Sequence, residues 1–237
     1  MEWLERTKLL LGKSGTDSLC HSKIIVIGVG GVGAYAAEML CRSGIGDITL
    51  VDADTIKESN INRQLPATTK TLGLNKATVM AKRLQEINSD ANITPIIKFI
   101  EADSIEALFA DNKYDYVVDA IDSISPKVAL ITYCIKHQIP IISSMGAGGR
   151  IDPSKIKFAD ISKTFECPLA KTMRDRLKKE GIYKGLPVVF STEPVNRSSI
   201  LEVFDERNKR STLGTISYLP AIFGCYLAAH VIKNLTK

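Results

Sequence analysis

The residues best placed to do chemistry are glycines near the start of the chain. Residues 28–33 read Gly-Val-Gly-Gly-Val-Gly and match the G-x-G-x-x-G spacing of loops that bind nucleotide phosphates. Such glycines permit a tight turn and let a phosphate approach the backbone at a helix N-terminus. The glycines of this motif are Gly28, Gly30, Gly31 and Gly33. Asp52 ends the next predicted strand, where its carboxylate would accept hydrogen bonds from ribose hydroxyls, so the pattern predicts a nucleotide site rather than glycines used only for packing.

Further polar residues follow at positions that suit a triphosphate better than a dinucleotide. The segment after the second predicted strand contains Asn60, Asn62, Arg63 and Gln64. Lys76 opens the next predicted helix, so that two cations, Arg63 and Lys76, would converge on phosphate charge. Asp119 and Asp122 lie at the carboxyl end of a later strand, where a carboxylate would hold Mg²⁺. Taken singly, these residues also fit surface charges or turn caps, so the hypothesis depends on the set.

Alternating apolar segments place these residues at the ends of strands. The predicted strands are 24–27, 48–52, 93–100, 116–120 and 139–143. The predicted helices between them are 32–43, 76–87, 104–110 and 127–137. This alternation predicts an α/β fold with a Rossmann-like, doubly wound and mostly parallel sheet up to about residue 145.

The last third of the chain is predicted to be less regular. It begins with a flexible glycine-rich break at 146–149. Two strands are predicted at 156–160 and 188–192, with a charged helix at 169–180 between them. A polar loop at 196–212 and an apolar helix at 216–232 follow. We expect one domain over 1–237, with a nucleotide-binding core at 1–145 and a substrate-binding and dimerisation portion at 146–237. The apolar helix is shorter than the roughly 20 residues of a membrane span, so a core helix is favoured. Its contact with a membrane surface stays open.

The composition is that of an ordinary globular protein. The 237 residues are 45% hydrophobic and 24% charged, which excludes a disordered chain, and 31 Lys+Arg against 26 Asp+Glu give a net charge of +5. That mild excess fits a neutral enzyme or one that handles a polyanion. Five cysteines without a C-x-x-C pair argue against a disulfide framework and structural zinc. With no signal-peptide pattern at the first residues, we expect a cytoplasmic protein.

At these positions the chain resembles the ubiquitin-activating-enzyme-like adenylyltransferases, the family that includes ThiF, MoeB and HesA. The matching features are residues 28–33, Asp52, residues 60–64, Lys76 and Asp122. The resemblance implies that ATP activates a carboxylate as an acyl-adenylate with release of pyrophosphate. ThiF-like and MoeB-like members carry two C-x-x-C pairs for zinc; this chain has none, so no zinc is expected.

The same resemblance implies a role for each site residue. Asp52 would hold the ribose, Arg63 and Lys76 would bind phosphates, and Asp122 would organise Mg²⁺. Arg6 looks like the family's N-terminal arginine, which reaches the ATP of the other subunit in a homodimer. The expected catalytic residues are Arg6, Arg63, Lys76 and Asp122. The expected nucleotide-binding residues also include Gly28, Gly30, Gly31, Gly33, Asp52, Asn60, Asn62 and Gln64.

The C-terminal third resembles one branch of the family, whose members modify tRNA. The likeness is carried by residues 146–153, 163–164, 168–170 and 189–193, and it is thinner from 194 to 213. The branch uses ATP to cyclise threonylcarbamoyladenosine beside the anticodon with loss of water. This implies adenylation of the threonyl carboxylate, followed by attack of the neighbouring carbamoyl nitrogen or oxygen. A monovalent cation (Na⁺ or K⁺) is also implied, without assignable ligands, and a sulfur-relay protein partner is left open.

A basic helix offers a surface for tRNA. Residues 171–184 contain six cations and two acids, a net charge of +4 (6 − 2). The candidate tRNA-binding residues are Lys171, Arg174, Arg176, Lys178 and Lys179. Such a patch binds phosphates without reading bases, and a plain solvated helix is the alternative.

Other functions remain open at this point. An activator of the C-terminus of a ubiquitin-like or sulfur-carrier protein would use the same adenylation. Cys167 or Cys225 would then be candidate acyl acceptors, although a buried or incidental thiol is the simpler expectation. A nucleotide-sensing dimer without turnover is favoured only if Arg63, Lys76 and Asp122 do not converge. An NAD-dependent dehydrogenase would need little beyond the glycine loop.

Overall fold

A computed structural model describes residues 2–202 and 211–237 of the chain and has a seven-stranded sheet at its centre. The strands of this sheet are β1 (Lys23–Ile27), β2 (Asp47–Val51), β3 (Asn92–Ile96), β4 (Tyr116–Asp119), β5 (Ile141–Ser144), β6 (Ile156–Asp160) and β7 (Pro187–Ser191). Their order is β3-β2-β1-β4-β5-β7-β6, and neighbouring strands are parallel except for the antiparallel edge pair β6 and β7. The predicted doubly wound, mostly parallel sheet is confirmed.

Helices cover both faces of the sheet. They are α1 (Glu5–His21), α2 (Gly33–Arg42), α3 (Lys76–Ile87), α4 (Ile105–Phe109), α5 (Ile124–Lys136), α6 (Pro168–Lys179) and α7 (Tyr218–Leu235). One hydrophobic core joins the sheet to α1, α2, α3 and α7, and a second joins it to α4, α5 and α6. Because both faces are covered, the central strands are apolar runs; residues 24–27 of β1 are all buried.

The strand order reverses beside β1, and this point determines where a ligand can bind. Ile27, the last residue of β1, pairs in register with Val51 on one side and Asp119 on the other. The turns that follow these three strands therefore meet at one edge of the sheet. Ligands of doubly wound sheets bind in the crevice at this position.

Most element boundaries predicted from the sequence lie within a few residues of those observed. The helix at 76–87 and the strand at 156–160 are confirmed without change. β3 ends at Ile96 rather than at residue 100, because its register with β2 stops where Val51 pairs with Ile96. α5 begins at Ile124 rather than at 127, since Pro126 fits the first turn of a helix, where its missing N–H has no partner.

The sequence patterns did not indicate the N-terminal helix α1. Its periodicity is interrupted at Gly12, which has φ of +73° and non-helical geometry. The helix is held to the C-terminal end of α7, where the Ser18 hydroxyl donates to the Leu235 carbonyl at 2.6 Å. Leu9 and Leu10 on α1 are 81% and 84% exposed.

The glycine-rich segment 146–149 is not the flexible break that its composition predicts. Gly149 donates to the Gly214 carbonyl and accepts from the Asn196 amide, both at 2.8 Å, and the Arg150 guanidinium donates to the Gly146 carbonyl. These partners come from distant parts of the chain, so local composition did not reveal them. The segment is an anchored loop beside the end of β5.

The predicted polar loop at 196–212 contains an antiparallel pair, β8 (Ile200–Glu202) and β9 (Ser211–Leu213). Residues 203–210 of that prediction lie outside the described residues. The seven-stranded sheet runs through both 1–145 and 146–237, and the functional division between these portions stays a prediction.

The apolar helix predicted at 216–232 corresponds to α7. Its residues Leu219, Phe223 and Leu227 are fully buried, which confirms a core helix. Within residues 2–202 and 211–237, no helix is long and apolar enough to cross a membrane.

Candidate nucleotide site

The glycine turn between β1 and α2 combines glycines required by packing with one that is not. Gly28 has φ of +89°, and a Cβ there would lie 2.6 Å from the Ala120 carbonyl oxygen. A Cβ on Gly33 would lie 1.8 Å from the Gly28 carbonyl oxygen. A Cβ on Gly30, by contrast, would meet nothing closer than the Gln64 side chain at 3.7 Å. Packing alone thus explains Gly28 and Gly33 but leaves Gly30 free to admit a ligand.

Asp52 ties the end of β2 to this turn. One carboxylate oxygen accepts from the Val29 amide at 2.7 Å and the other accepts from the Asp54 amide at 2.8 Å. Burial raises the pKa of Asp52, and the nearby Lys76 together with these two amides opposes that shift. The carboxylate is held at the edge of the turn, where its remaining lone pairs suit ribose hydroxyls.

Arg63 lies beside the glycine turn, near Gly31. Its amide donates to the Asn60 carbonyl at 3.1 Å, and its guanidinium donates to the Ser59 carbonyl at 2.9 Å and to Asn62 Oδ1 at 2.8 Å. The Arg63 Cγ lies 3.5 Å from the place a Cβ would take on Gly31. Burial lowers the pKa of Arg63, and the carboxylate of Asp122 acts in the opposite direction.

Gln64 provides a buried polar atom without a partner. Its side-chain amide carries the Nε2 atom that faces Gly30, while its Oε1 has no hydrogen-bond partner among the described residues. A buried amide oxygen in this state costs free energy until a donor reaches it. The arrangement fits a ligand that supplies a donor at this turn.

Lys76 and Asp122 complete the set. Lys76 is the first residue of α3, directly after Asn75, whose side chain caps the helix by accepting from the Thr78 amide. Its ammonium is buried and pairs with Asp54 at 2.8 Å. Asp122 is exposed and lies near enough to Arg63 for its charge to oppose the lowering of the Arg63 pKa by burial. The structure therefore brings the predicted cations and Asp122 around the glycine turn.

Other predicted site residues have different surroundings. Asn60 is buried and uses Oδ1 to accept from the Lys57 amide, and Asn62 donates from Nδ2 to the Thr215 carbonyl at 2.9 Å. Arg6 is exposed in the first turn of α1. None of the hydrogen bonds or ion pairs found in the described residues joins Arg6 to the other site residues.

Asp119 is not available to a metal ion. Its side chain is fully buried and pairs with Lys127 at 2.8 Å, so the carboxylate of this turn that fits Mg²⁺ is Asp122 alone. Sequence reasoning missed Lys127, for which the only signal was a lysine inside an otherwise apolar helix. Across 2–202 and 211–237 no cluster of three or more His, Cys, Asp or Glu could hold a metal ion. Mg²⁺ bound to a nucleotide needs only one or two carboxylates besides the phosphates, so Asp122 fits such an ion.

Two of the five candidate cations of the basic helix α6 bind polar partners, and the other three are exposed. Arg174 donates to the Thr164 carbonyl at 2.9 Å and to its hydroxyl, and Lys171 pairs with Asp175 at 3.2 Å. The remaining candidates, Arg176, Lys178 and Lys179, are exposed. Arg174 thus also holds the loop before α6.

The two cysteines considered as acyl acceptors differ in position. Cys167 is buried at the N-cap of α6, with its sulfur 3.8 Å from the place a Cβ would take on Gly146. Cys225 lies half-buried on α7, and burial raises its pKa, which disfavours the thiolate. Cys225 is therefore a poor nucleophile in this environment.

Fold and site together define a doubly wound α/β protein whose glycine turn is surrounded by cations and a carboxylate suited to a nucleoside triphosphate. The chain belongs to the ThiF family, whose model matches residues 4–237.

The chain is also similar to individual proteins over nearly its whole length. The chain is 41% identical over 239 residues to a tRNA threonylcarbamoyladenosine dehydratase of Bacillus subtilis (strain 168), covering 98% of this chain and 94% of the relative. It is 39% identical to the protein of the same name from Escherichia coli (strain K12), again covering 98% and 94%. The crystal structure of the E. coli enzyme TcdA in complex with ATP superimposes with a TM-score of 0.90 at 37% identity, covering 99% of this chain and 93% of that one.

Proposed function

We propose that the protein is an ATP-dependent dehydratase that cyclises threonylcarbamoyladenosine in tRNA. The observation that carries the proposal is the open position at Gly30, in a turn where Asp52 binds the Val29 amide and Arg63 lies beside Gly31. The charge of Lys76 acts on Asp52, and the charge of Asp122 acts on Arg63. The similarity to dehydratases of this name along nearly the whole chain supports the choice of substrate over other carboxylates.

The reaction has two steps, and atoms and charges balance in each of them. An oxygen of the threonyl carboxylate attacks the α-phosphorus of ATP, an acyl–adenylate bond forms, and pyrophosphate leaves. The neighbouring carbamoyl nitrogen or oxygen then attacks the acyl carbon, AMP leaves with the original carboxylate oxygen, and one proton is released. Because the second step is intramolecular, effective molarity lowers its barrier, and no nucleophile from the protein is required.

The residues of the site act mainly through position and charge. Arg63 and Lys76 bind the phosphates and stabilise the charge that develops when pyrophosphate leaves, and Asp52 orients the ribose. Asp122 holds Mg²⁺, which when bound supplies further neutralisation of phosphate charge.

A homodimer completes the site in this proposal, with Arg6 of one copy reaching the ATP of the other. Arg6 is exposed, and Leu9 and Leu10 in the same helix expose most of their surface. Two adjacent exposed leucines on a helix favour burial against a partner.

The tRNA is bound at Arg176, Lys178 and Lys179 on α6, with Lys171 and Arg174 nearer the start of that helix. The protein acts in the cytoplasm; a monovalent cation and a sulfur-relay partner stay predictions.

The alternative function is adenylation of the C-terminus of a ubiquitin-like or sulfur-carrier protein. Release of pyrophosphate from ATP separates the two. We expect release to be stimulated by tRNA that contains threonylcarbamoyladenosine and not by unmodified tRNA or by carrier proteins. Stimulation by a carrier protein alone would support the alternative and contradict the proposal.

A further inference from the structure

A buried ion pair lies next to the turn that carries Asp122. Asp119 is the last residue of β4 and Lys127 lies in α5, and their side chains, 2.8 Å apart, are both 0% exposed. Removing two charges from water is costly, and an apolar pair of similar volume often stabilises a core as well or better. Stability alone therefore does not account for this pair.

The pair binds the backbone of the turn that carries Asp122. Lys127 Nζ donates to the Ile121 carbonyl at 3.0 Å, and the Ile121 amide donates to Asp119 Oδ1 at 3.1 Å. Ser143 on β5 also holds the carboxylate by donating to Asp119 Oδ2, the oxygen that pairs with Lys127, at 2.6 Å. Both backbone polar groups of the residue before Asp122 are thus held by the two buried charges.

The turn at residues 120–122 packs closely against the glycine turn. The Ala120 amide donates to the Ile27 carbonyl at 2.9 Å, and the Ala120 carbonyl lies against Gly28, where even a Cβ has no room. The turn between Ala120 and Asp122 is therefore fixed on one side by Gly28 and on the other by Lys127. A shift at Ile121 would move Asp122 relative to Arg63.

We propose that Lys127 is a positioning residue, which holds Asp122 beside the nucleotide by binding the Ile121 carbonyl. This inference rests on the proposed function only in that Asp122 acts on the bound nucleotide. It assigns the fully buried ammonium to the geometry of the site rather than to contact with ATP.

The proposal is tested with a double variant. It removes the hydrogen bond from Lys127 to the Ile121 carbonyl and leaves no unpaired buried charge. In Asp119→Asn with Lys127→Met, the asparagine oxygen still accepts from the Ile121 amide, while the bond to the Ile121 carbonyl is lost. We expect a melting temperature close to that of the unchanged protein and an ATP dissociation constant in Mg²⁺ raised about tenfold or more, as for Asp122→Asn. Lys136→Met, on the exposed end of α5, is the matched control and should leave the dissociation constant unchanged.

A folded double variant that binds ATP with the unchanged dissociation constant would overturn the inference. If this double variant does not fold, Asp119→Asn with Lys127→Leu, which also lacks a donor for the Ile121 carbonyl, allows the same comparison with the same two outcomes. Titration with ATP needs no tRNA. A protein that binds ATP but releases no pyrophosphate with modified tRNA would contradict the proposed function, and the titration would still decide the role of Lys127.

Discussion

Arg63 lies beside the glycine turn with its guanidinium held by the Ser59 carbonyl and the Asn62 side chain. Because it is half-buried at the edge of the site, its removal should affect charge stabilisation more than folding. We expect Arg63→Ala to lower the rate of pyrophosphate release by roughly 10²–10³-fold, the usual effect of losing one preorganised group that stabilises developing charge.

The matched control is Lys82→Ala, an exposed cation on α3, the helix that begins with Lys76. It should release pyrophosphate at the unchanged rate. Equal activity of Arg63→Ala and Lys82→Ala in a steady-state assay would remove Arg63 from the mechanism.

At the scale of single residues, the sequence predicted groups whose types and spacing report local chemistry. Asp52 and Lys76 follow a strand and open a helix, so their positions depend on neighbouring residues that the pattern reveals. The pairing of Asp119 with Lys127 depends instead on how α5 packs on β4. Spacing alone gave no reason to separate Asp119 from Asp122, and only the buried contact does so.

The glycine turn is the element whose geometry can be tested most simply. Gly30→Ala should fold normally, since its Cβ would have 3.7 Å of clearance, but the methyl group would occupy the space that a phosphate needs. We expect the melting temperature to stay within a few degrees and the ATP dissociation constant to rise about tenfold or more.

Gly33→Ala serves as the comparison within the same element. Its Cβ would overlap the Gly28 carbonyl, so this variant should lose stability as well as ATP binding, as thermal melting would report. A Gly30→Ala protein that binds ATP normally would show that the phosphates do not lie over this turn.

Strands and helices of the nucleotide-binding half were predictable because each has a clear period and a break at each end. The helix α1 was not, because Gly12 interrupts its pattern and its packing partner α7 lies at the other end of the chain. The loop at 146–149 was interpreted as flexible from its glycines, whereas Gly214, Asn196 and Arg150 fix it. Contacts between distant segments decided both cases.

The whole molecule is proposed to work as a pair of copies with shared sites. Arg6→Ala and Arg63→Ala should each be inactive alone. Mixing them should restore about a quarter of the activity, because half of randomly formed dimers are mixed and one of their two sites is intact. Failure of any mixture to regain activity, although an affinity tag carried by one variant alone co-purifies the other, would place Arg6 outside the partner's site.

The tRNA surface can be separated from the nucleotide site by charge reversal. Lys178→Glu with Lys179→Glu changes two exposed cations at the end of α6, far from the glycine turn along the chain. We expect weaker tRNA binding with a shallower dependence on salt and an unchanged ATP dissociation constant. Unchanged tRNA affinity at physiological salt would exclude this helix as the docking surface.

The central claim is that bound ATP is used to remove water from a modified adenosine in tRNA. The most direct measurement is incubation with ATP, Mg²⁺ and tRNA bearing threonylcarbamoyladenosine, followed by mass analysis of the released nucleosides. The account predicts conversion to a nucleoside lighter by one water, with AMP and pyrophosphate formed in equal amounts. A nucleoside of unchanged mass after complete incubation would contradict it.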